Sequence, residues 1–214
     1  MGIGKALRHD HDAGGGTIDH PRAYEVMSFI GFLGGRRAVF TRIAALAGPR
    51  PGERVLDVGC GTGYLSRVIA PVVTPSGHVT GVDAAPAMVE YSRRRAPGNC
   101  DYVVGEGQDL PFPDGSFDLV VSTFAVHHIP PAARAETLRE MFRVLRPGGR
   151  LLIAEFRPPT GRVSGRLMSL VAAPAMRNTP GELLGTLIPD AGFTIDAQGD
   201  LSSLLYYVRA VRPA

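Results

Sequence analysis

Three glycines stand within five positions directly after a short apolar run, in the stretch RVLDVGCGTGYLSRVIAPVV at residues 54–73. Gly59, Gly61 and Gly63 permit a tight turn and let a ligand approach the backbone closely. The helical pattern that follows presents free N–H groups in its first turn. This arrangement is typical of several kinds of nucleotide-binding loop. The glycines alone do not identify the ligand.

Two acidic residues narrow the choice of ligand. Asp57 opens the motif, and Asp83 ends the next apolar run, ~20 residues past the loop, where a carboxylate can accept hydrogen bonds from ribose hydroxyls. The third glycine comes one residue earlier than in the dinucleotide pattern G-x-G-x-x-G, and Tyr64 occupies the position of that last glycine. The motif therefore favours a ligand with a ribose over one with a pyrophosphate.

Two adjacent histidines, His127 and His128, follow the apolar run FDLVVSTF. An imidazole with a pKa near neutrality can remove a proton from a reacting molecule, and we favour His128 as this base. Either ring could instead cap the helix that starts near Pro131, or pack against its neighbours without a chemical role.

The sequence predicts no metal site. HDHD at 9–12 resembles a set of metal ligands but has no second cluster, and the two cysteines lack the spacing of metal ligands.

Strand and helix patterns alternate along the chain. The strand patterns cover residues 54–59, 78–83, 101–107, 117–124, 150–156, 193–199 and 204–213. Helical patterns cover 63–73, 86–96, 133–145, 161–178 and 180–192, and two more helices lie within 21–46, broken at GFLGG. The helix 133–145 should stop at RPGG. Alternation of this kind predicts an α/β fold: a doubly wound, Rossmann-like, mostly parallel seven-stranded sheet with an antiparallel terminal hairpin and helices on both faces.

Four segments together carry a resemblance to a known family. They are VLDVGCGTG, VTGVDAAPAMVEYSRRRA, GEGQDLPFPDGSFDLVVSTFAVHHI and REMFRVLRPGGRLLIAEF. In this order they resemble the class I S-adenosylmethionine-dependent methyltransferases over roughly residues 21–157. Within that class the chain is most similar to the small-molecule methyltransferases that include the ubiquinone/menaquinone biosynthesis enzymes. The resemblance implies S-adenosylmethionine as cofactor and methyl transfer to a small, apolar or aromatic acceptor.

The resemblance also implies a set of cofactor contacts. These are Tyr24, Asp57, Gly59, Cys60, Gly61, Thr62, Asp83, Ala84, Met88, Glu106, Gly107, Gln108 and Thr123. The glycine loop with Asp57 would line the methionine part, Asp83 would hold the ribose, and Glu106 would face the exocyclic amine of adenine. His127 and His128 stand where the quinone enzymes usually carry an arginine-asparagine pair, so the resemblance does not imply a quinone acceptor.

The sequence also predicts how the chain is divided into segments. Residues 1–20 are expected to form a disordered tail, 21–50 a helical lid and 51–157 the cofactor-binding core. Residues 158–214 would complete the same domain, and the apolar stretch 167–176 within them fits either a second lid or the core.

Two alternative functions compete with methyl transfer. A nicotinamide-dependent oxidoreductase is disfavoured by the glycine spacing, whereas a non-methylating isomerase, cyclase or regulatory module on the same fold stays open.

The net charge of +3 is spread along the chain, and RRR at 93–95 fits a solvated helix face, so no nucleic-acid partner is expected. No apolar run reaches the ~18 to 20 residues of a membrane span, and the N-terminus lacks a signal-peptide core. The sequence thus predicts a cytoplasmic protein without stable membrane insertion, and a homodimer is left open.

Overall fold

A seven-stranded sheet forms the centre of the chain in this computed structural model, which describes residues 20–32, 34–156 and 181–214. The strands are β1 (Arg54–Val58), β2 (His78–Asp83), β3 (Cys100–Val104), β4 (Phe117–Thr123), β5 (Leu145–Phe156), β6 (Thr194–Ser202) and β7 (Leu205–Val211). The helices are α1 (Pro21–Gly31), α2 (Arg36–Ala47), α3 (Tyr64–Val73), α4 (Pro86–Arg93), α5 (Pro131–Val144) and α6 (Gly181–Asp190).

The strand order is β3-β2-β1-β4-β5-β7-β6. Strands β1 to β5 pair in parallel, and β7 runs antiparallel to both β5 and β6 at one edge. The predicted fold, including the terminal hairpin, is therefore confirmed. The order reverses between β1 and β4, so a crevice is expected outside the carboxyl ends of these strands.

The helices cover both faces of the sheet because neighbouring strand residues point to opposite sides. On β1, Val55 packs with the face that carries α2, α3 and α4, and Leu56 packs with the face that carries α5 and α6. Both side chains are fully buried. Such two-sided burial explains why the parallel strands read as continuous apolar runs in the sequence.

The junction of α5 and β5 differs from the prediction. The helix ends at Val144, and β5 begins at the next residue, so RPGG lies inside the strand and does not form a loop. The register between β4 and β5 shifts between Phe117 and Leu119, and Gly148 has φ +71°. A bulged start to β5 absorbs the proline and glycines that the sequence indicated as a break.

Three predictions lie largely or wholly outside the described residues: the disordered tail at 1–20, the HDHD segment at 9–12 and the apolar stretch at 167–176. The division into lid, core and C-terminal segment stays a prediction. Within the described ranges no helix is long and apolar enough to cross a bilayer.

The turn between α2 and β1 is held by a buried ion pair. The Arg150 guanidinium on β5 lies 2.7 Å from the Glu53 carboxylate and also donates to the Gly48 carbonyl at 3.0 Å. Gly48 ends α2 in the left-handed conformation, with φ +61°. These contacts anchor the N-terminal helices to the sheet far from the carboxyl ends of the strands.

Replacing Gly77, between α3 and β2, with alanine should destabilise the fold by about 2 to 4 kcal/mol. An added Cβ would lie 2.3 Å from the Val73 carbonyl oxygen and 2.7 Å from that of Glu53, and neither backbone can move cheaply. Urea unfolding measures the loss. Gly98→Ala is the matched control, because its Cβ meets no described atom within 4 Å, and it should change stability by less than about 0.5 kcal/mol. Equal effects of the two changes would contradict the packing described here.

Candidate active site

A cavity of about 290 Å³ opens at the carboxyl ends of β1, β2 and β4, where the strand order reverses. Most of the residues that the sequence predicted for the site form its wall. They are Tyr24, Gly59, Cys60, Gly61, Thr62, Asp83, Ala84, Met88, Glu106, Gly107, Gln108, Thr123 and His128. The size is close to the lower end of the range for small-molecule sites, ~300 to 1,000 Å³.

The glycine loop adopts backbone angles that only glycine takes easily. Gly59 has φ +71°, and a Cβ there would lie 2.3 Å from the Cβ of Ala125. Gly61 has φ +52°, and its missing Cβ faces a space with no described atom within 4 Å. The loop is therefore tight on the side of Ala125 and open on the side of the cavity.

Asp83 fixes the loop from the neighbouring strand. Its Oδ2 accepts a hydrogen bond from the Gly61 N–H at 2.8 Å, and its Oδ1 accepts one from the Ala85 N–H at 2.9 Å. Burial raises the pKa of this carboxyl, and the two backbone donors partly offset that effect. A carboxylate has about four acceptor positions, so Asp83 can still accept hydrogen bonds from a ligand hydroxyl.

The predicted contact of Asp57 with a ligand stays a prediction, since the side chain is buried and is not part of the described cavity wall. The side chain is 1% exposed and is absent from the cavity wall formed by the described residues. Oδ2 accepts a hydrogen bond from the Ser66 hydroxyl of α3 at 2.6 Å, and Oδ1 has no partner among the described residues. Burial, with a smaller contribution from the charge of Asp83, raises the pKa of Asp57 to about 6.

The sequence did not single out Arg36 and Glu25, which join the N-terminal helices to the glycine loop. Arg36 Nη1 lies 2.7 Å from Glu25 Oε2, and the Thr62 hydroxyl donates to the same carboxylate. The guanidinium carbon of Arg36 is 4.1 Å from the centre of the Tyr64 ring. Arg36 is 6% exposed and lines the cavity, and its Nε is buried without a partner among the described residues.

His127 and His128 lie on a short 3₁₀ turn, Val126–His128, after β4. His127 is buried, with Nδ1 2.7 Å from Glu155 Oε2, and it does not belong to the described cavity wall, so its role as a base stays a prediction. His128 does line the cavity, and its ring centre is 4.0 Å from that of His127. The alternative that a histidine caps α5 is also wrong, since Pro130 is the N-cap and no described side chain caps it.

The electrostatic state of His128 follows from its position. Burial, with the neighbouring His127 as the smaller cause, lowers the pKa of His128 from 6.5 to about 4. The ring is therefore neutral at physiological pH and offers a lone pair to the cavity. It can accept a hydrogen bond or a proton, and it brings no positive charge to the site.

An aromatic wall, which the sequence did not indicate, surrounds Phe124 directly after β4, and of its four rings those of Phe40 and Phe124 line the cavity. The ring centre of Phe124 lies 5.7 Å from that of Phe32, 5.8 Å from Phe40 and 4.5 Å from Phe156. Phe124 has φ +55°, a conformation that costs of order 1 kcal/mol for a bulky residue and is concentrated at functional sites. The sequence carries no signal for this backbone conformation.

The residues of the cavity fit S-adenosylmethionine. Gly61 leaves open space at the loop, Asp83 offers acceptor positions for ribose hydroxyls, and Arg36 places a guanidinium at the cavity wall. The two buried carboxyls, Asp57 and Asp83, both have raised pKa values, and a ligand with a positive charge would stabilise their ionised forms.

Comparisons with known proteins agree with this geometry. A family model described as a methyltransferase domain matches residues 55–149. The ubiquinone/menaquinone biosynthesis C-methyltransferase UbiE of Ectopseudomonas mendocina is 39% identical over 142 residues, which cover 64% of this chain and 54% of that protein. The chain thus spans little more than half the length of this relative.

Solved structures share the fold at lower sequence identity. A SAM-dependent methyltransferase from Aquifex aeolicus superposes with a TM-score of 0.69 at 22% identity, covering 80% of this chain and 88% of its own. The [4+2]-cyclase SpnF superposes with a TM-score of 0.64 at 20% identity, covering 81% of each chain. The family model, the relative and the solved structures thus agree with the resemblance that the four sequence motifs carry: residues 55–149 are similar to a methyltransferase domain, and the chain shares the fold of a SAM-dependent methyltransferase.

Proposed function

We propose that the protein is an S-adenosylmethionine-dependent methyltransferase that acts on a small, apolar or aromatic acceptor. The observation that carries the proposal is the link between Asp83 and Gly61 across the mouth of the cavity, at the point where the strand order reverses. A carboxylate held there, beside an open glycine backbone, is suited to a ribose and the adjoining part of the ligand. The relatives of the UbiE type support the reaction class.

The chain contributes mainly positioning and exclusion of water. S-adenosylmethionine, when bound, supplies an electrophilic methyl group on a positively charged sulfur. Asp83 and the glycine loop would fix the cofactor, and Arg36 would bind its carboxylate. The wall around Phe124 would hold an apolar acceptor in line with the methyl group and keep water away.

His128 is the proposed proton acceptor. Its neutral ring lines the cavity beside Ile129 and Pro130, and an acceptor that carries an O–H or N–H group can donate a hydrogen bond to it. A base with a pKa of about 4 binds a full proton weakly at neutral pH. Proton removal is therefore expected to accompany methyl transfer and not to precede it.

The acceptor class rests on the aromatic wall and on the relatives. The UbiE proteins are C-methyltransferases of ubiquinone and menaquinone biosynthesis, and an aromatic wall suits a ring of that general kind. The neutral ring of His128 can also accept a proton from acceptors other than quinones. We propose phenols, quinols and related aromatic compounds as the class to screen.

A non-methylating function on the same fold is the second candidate. The fold resembles that of a [4+2]-cyclase, and fold alone does not determine the reaction. Mass spectrometry of S-adenosylhomocysteine formed with a panel of aromatic acceptors separates the two. Formation of S-adenosylhomocysteine together with a methylated product supports methyl transfer. Binding of the cofactor without turnover of any acceptor would favour a cyclase, isomerase or regulatory module.

We also propose that the protein acts in the cytoplasm. Cys60 and Cys100 are both buried free thiols, as expected in a reducing compartment. The small-molecule acceptor and the homodimer considered from the sequence stay predictions.

Asp83→Asn should raise the Kd for S-adenosylhomocysteine at least about 30-fold, equivalent to about 2 kcal/mol. An asparagine has a single acceptor oxygen, so its amide group would oppose the N–H of Gly61 or of Ala85. Isothermal titration calorimetry measures the change. Asp101→Asn is the matched control, because that exposed carboxylate pairs with His78 at the far end of the neighbouring strand. Unchanged affinity in the Asp83 variant would refute the assigned cofactor site.

His128→Gln should lower kcat about 100-fold while the Kd for S-adenosylhomocysteine stays within about threefold. The wild-type rate should be independent of His128 ionisation above pH 5 and fall toward pH 4, because only the neutral ring accepts a proton. His78→Gln, at an exposed ring, serves as the control. A variant with wild-type kcat and pH profile would rule out a role of His128 in proton transfer.

The same pKa shift makes a prediction for stability. The pKa of His128 is lower in the folded state than its ordinary 6.5, so protonation favours unfolding. Its destabilising effect is absent well above pH 6.5, grows as the pH falls from 6.5 to about 4, and is complete below that pH. His128→Gln should therefore be more acid-stable than the wild type, and urea unfolding at pH 7 and pH 4.5 measures the difference. A stability difference that does not depend on pH would contradict the lowered pKa.

A further inference from the structure

We propose that Glu155 is a positioning residue that fixes the turn Val126–His128 and the tautomer of His127, and thereby aims His128 into the cavity. This inference rests on the proposed role of His128. Glu155 is 0% exposed and lies near the carboxyl end of β5, beside the end of β4. It was not among the site residues that the sequence predicted.

A fully buried carboxylate needs partners, because an ion without them costs several kcal/mol to remove from water. Each oxygen of Glu155 has a hydrogen-bond partner on the turn Val126–His128. Oε1 accepts from the Val126 N–H at 2.8 Å, and Oε2 lies 2.7 Å from His127 Nδ1. The carboxylate therefore contacts the backbone of the turn with one oxygen and the ring of His127 with the other.

Arg134 of α5 binds the same turn and is attracted by the charge of Glu155. Arg134 of α5 donates from Nε to the Ile129 carbonyl at 3.0 Å and from Nη2 to the His127 carbonyl at 3.4 Å. The charge of Glu155 acts to raise the pKa of Arg134 against the effect of burial, so the two charges attract each other. Arg134 and Glu155 thus hold the turn from opposite sides.

The contact of 2.7 Å between Glu155 Oε2 and His127 Nδ1 sets the tautomer of His127. A carboxylate only accepts hydrogen bonds, so Nδ1 of His127 must carry the hydrogen that points to Oε2. The ring then has a fixed orientation, and its centre lies 4.0 Å from that of His128. The His128 N–H also donates to the Ala125 carbonyl at 3.0 Å, which closes the turn. Through these contacts Glu155 determines where the His128 ring lies.

The ring contact separates positioning from simple structural support. Holding the turn requires only the bond from the Val126 N–H to Oε1, and a neutral amide oxygen could accept it. The second oxygen acts on the His127 ring, and only an acceptor at that place selects the Nδ1–H form. A change at Glu155 should therefore alter the state of His127 even in a protein that stays folded.

The test is Glu155→Gln, followed by nitrogen-15 NMR of the histidine rings. Glutamine can accept one hydrogen bond with its oxygen and must donate with its amide, so His127 can keep a bond to the amide only as the Nε2–H tautomer. We expect His127 to shift from the Nδ1–H to the Nε2–H form and the His128 resonances to move. We also expect kcat to fall about 10- to 100-fold, with the Kd for S-adenosylhomocysteine within about threefold.

Glu53→Gln is the matched control, because Glu53 is also a buried glutamate but pairs with Arg150 far from the cavity. It should leave the ring signals of His127 and His128 unchanged. Retention of the Nδ1–H form in Glu155→Gln would overturn the proposal, as would a shifted tautomer with wild-type kcat. If the variant does not fold, the wild type decides: an Nε2–H form of His127 at neutral pH overturns the proposal, and an Nδ1–H form supports it.

The NMR measurement needs no methyl acceptor. A protein that shows the expected change of tautomer but methylates no compound would contradict the proposed function while leaving the link from Glu155 to His127 intact. The reverse result, methyl transfer without a change of tautomer, would contradict only the inference about Glu155.

Discussion

The Asp83 carboxylate joins two parts of the chain on which the whole site depends. Its two oxygens hold the N–H groups of Gly61, after β1, and of Ala85, before α4, so the glycine loop and the end of β2 cannot move independently. The carboxyl is largely removed from water, and its pKa is raised by that burial. The loop is thus held in place at an electrostatic cost, which a positively charged ligand at the cavity would offset.

The charges around the cavity are complementary to a zwitterionic ligand with an additional positive charge. The charge of Asp83 adds to the effect of burial in raising the pKa of Asp57, and neither carboxyl has a described cationic partner. Arg36, at the start of α2, contributes the opposite sign and contacts Glu25 of α1. Because that contact also involves Thr62 of the glycine loop, the N-terminal helices are connected to the loop through polar side chains and not through apolar packing alone.

The sequence predicted the fold well because the required signals are local. Apolar runs of strand length and the glycine loop are readable over about ten residues. Alternation along β1 also contained the information that Asp57 shares the face of Val55, toward α3, where Ser66 binds it. Arg36 and Phe124 depend on distant partners and an unusual backbone angle, which no short pattern encodes. Glu155 left a weak signal, a charge at the end of the apolar run LLIAEF.

Glu155 and Asp83 make the same kind of contact on the two sides of the point where the strand order reverses. Asp83 lies at the end of β2 and binds an N–H of the loop that follows β1, and Glu155 lies near the end of β5 and binds an N–H of the turn that follows β4. In both cases a buried carboxylate on the outer strand holds the segment that leaves the inner strand. The inner strands β1 and β4 are neighbours, so the two segments meet at the cavity. In the proposed function one of them would present a backbone to the cofactor and the other a neutral base. Their separation is set by the pairing of β1 with β4 and not by either loop.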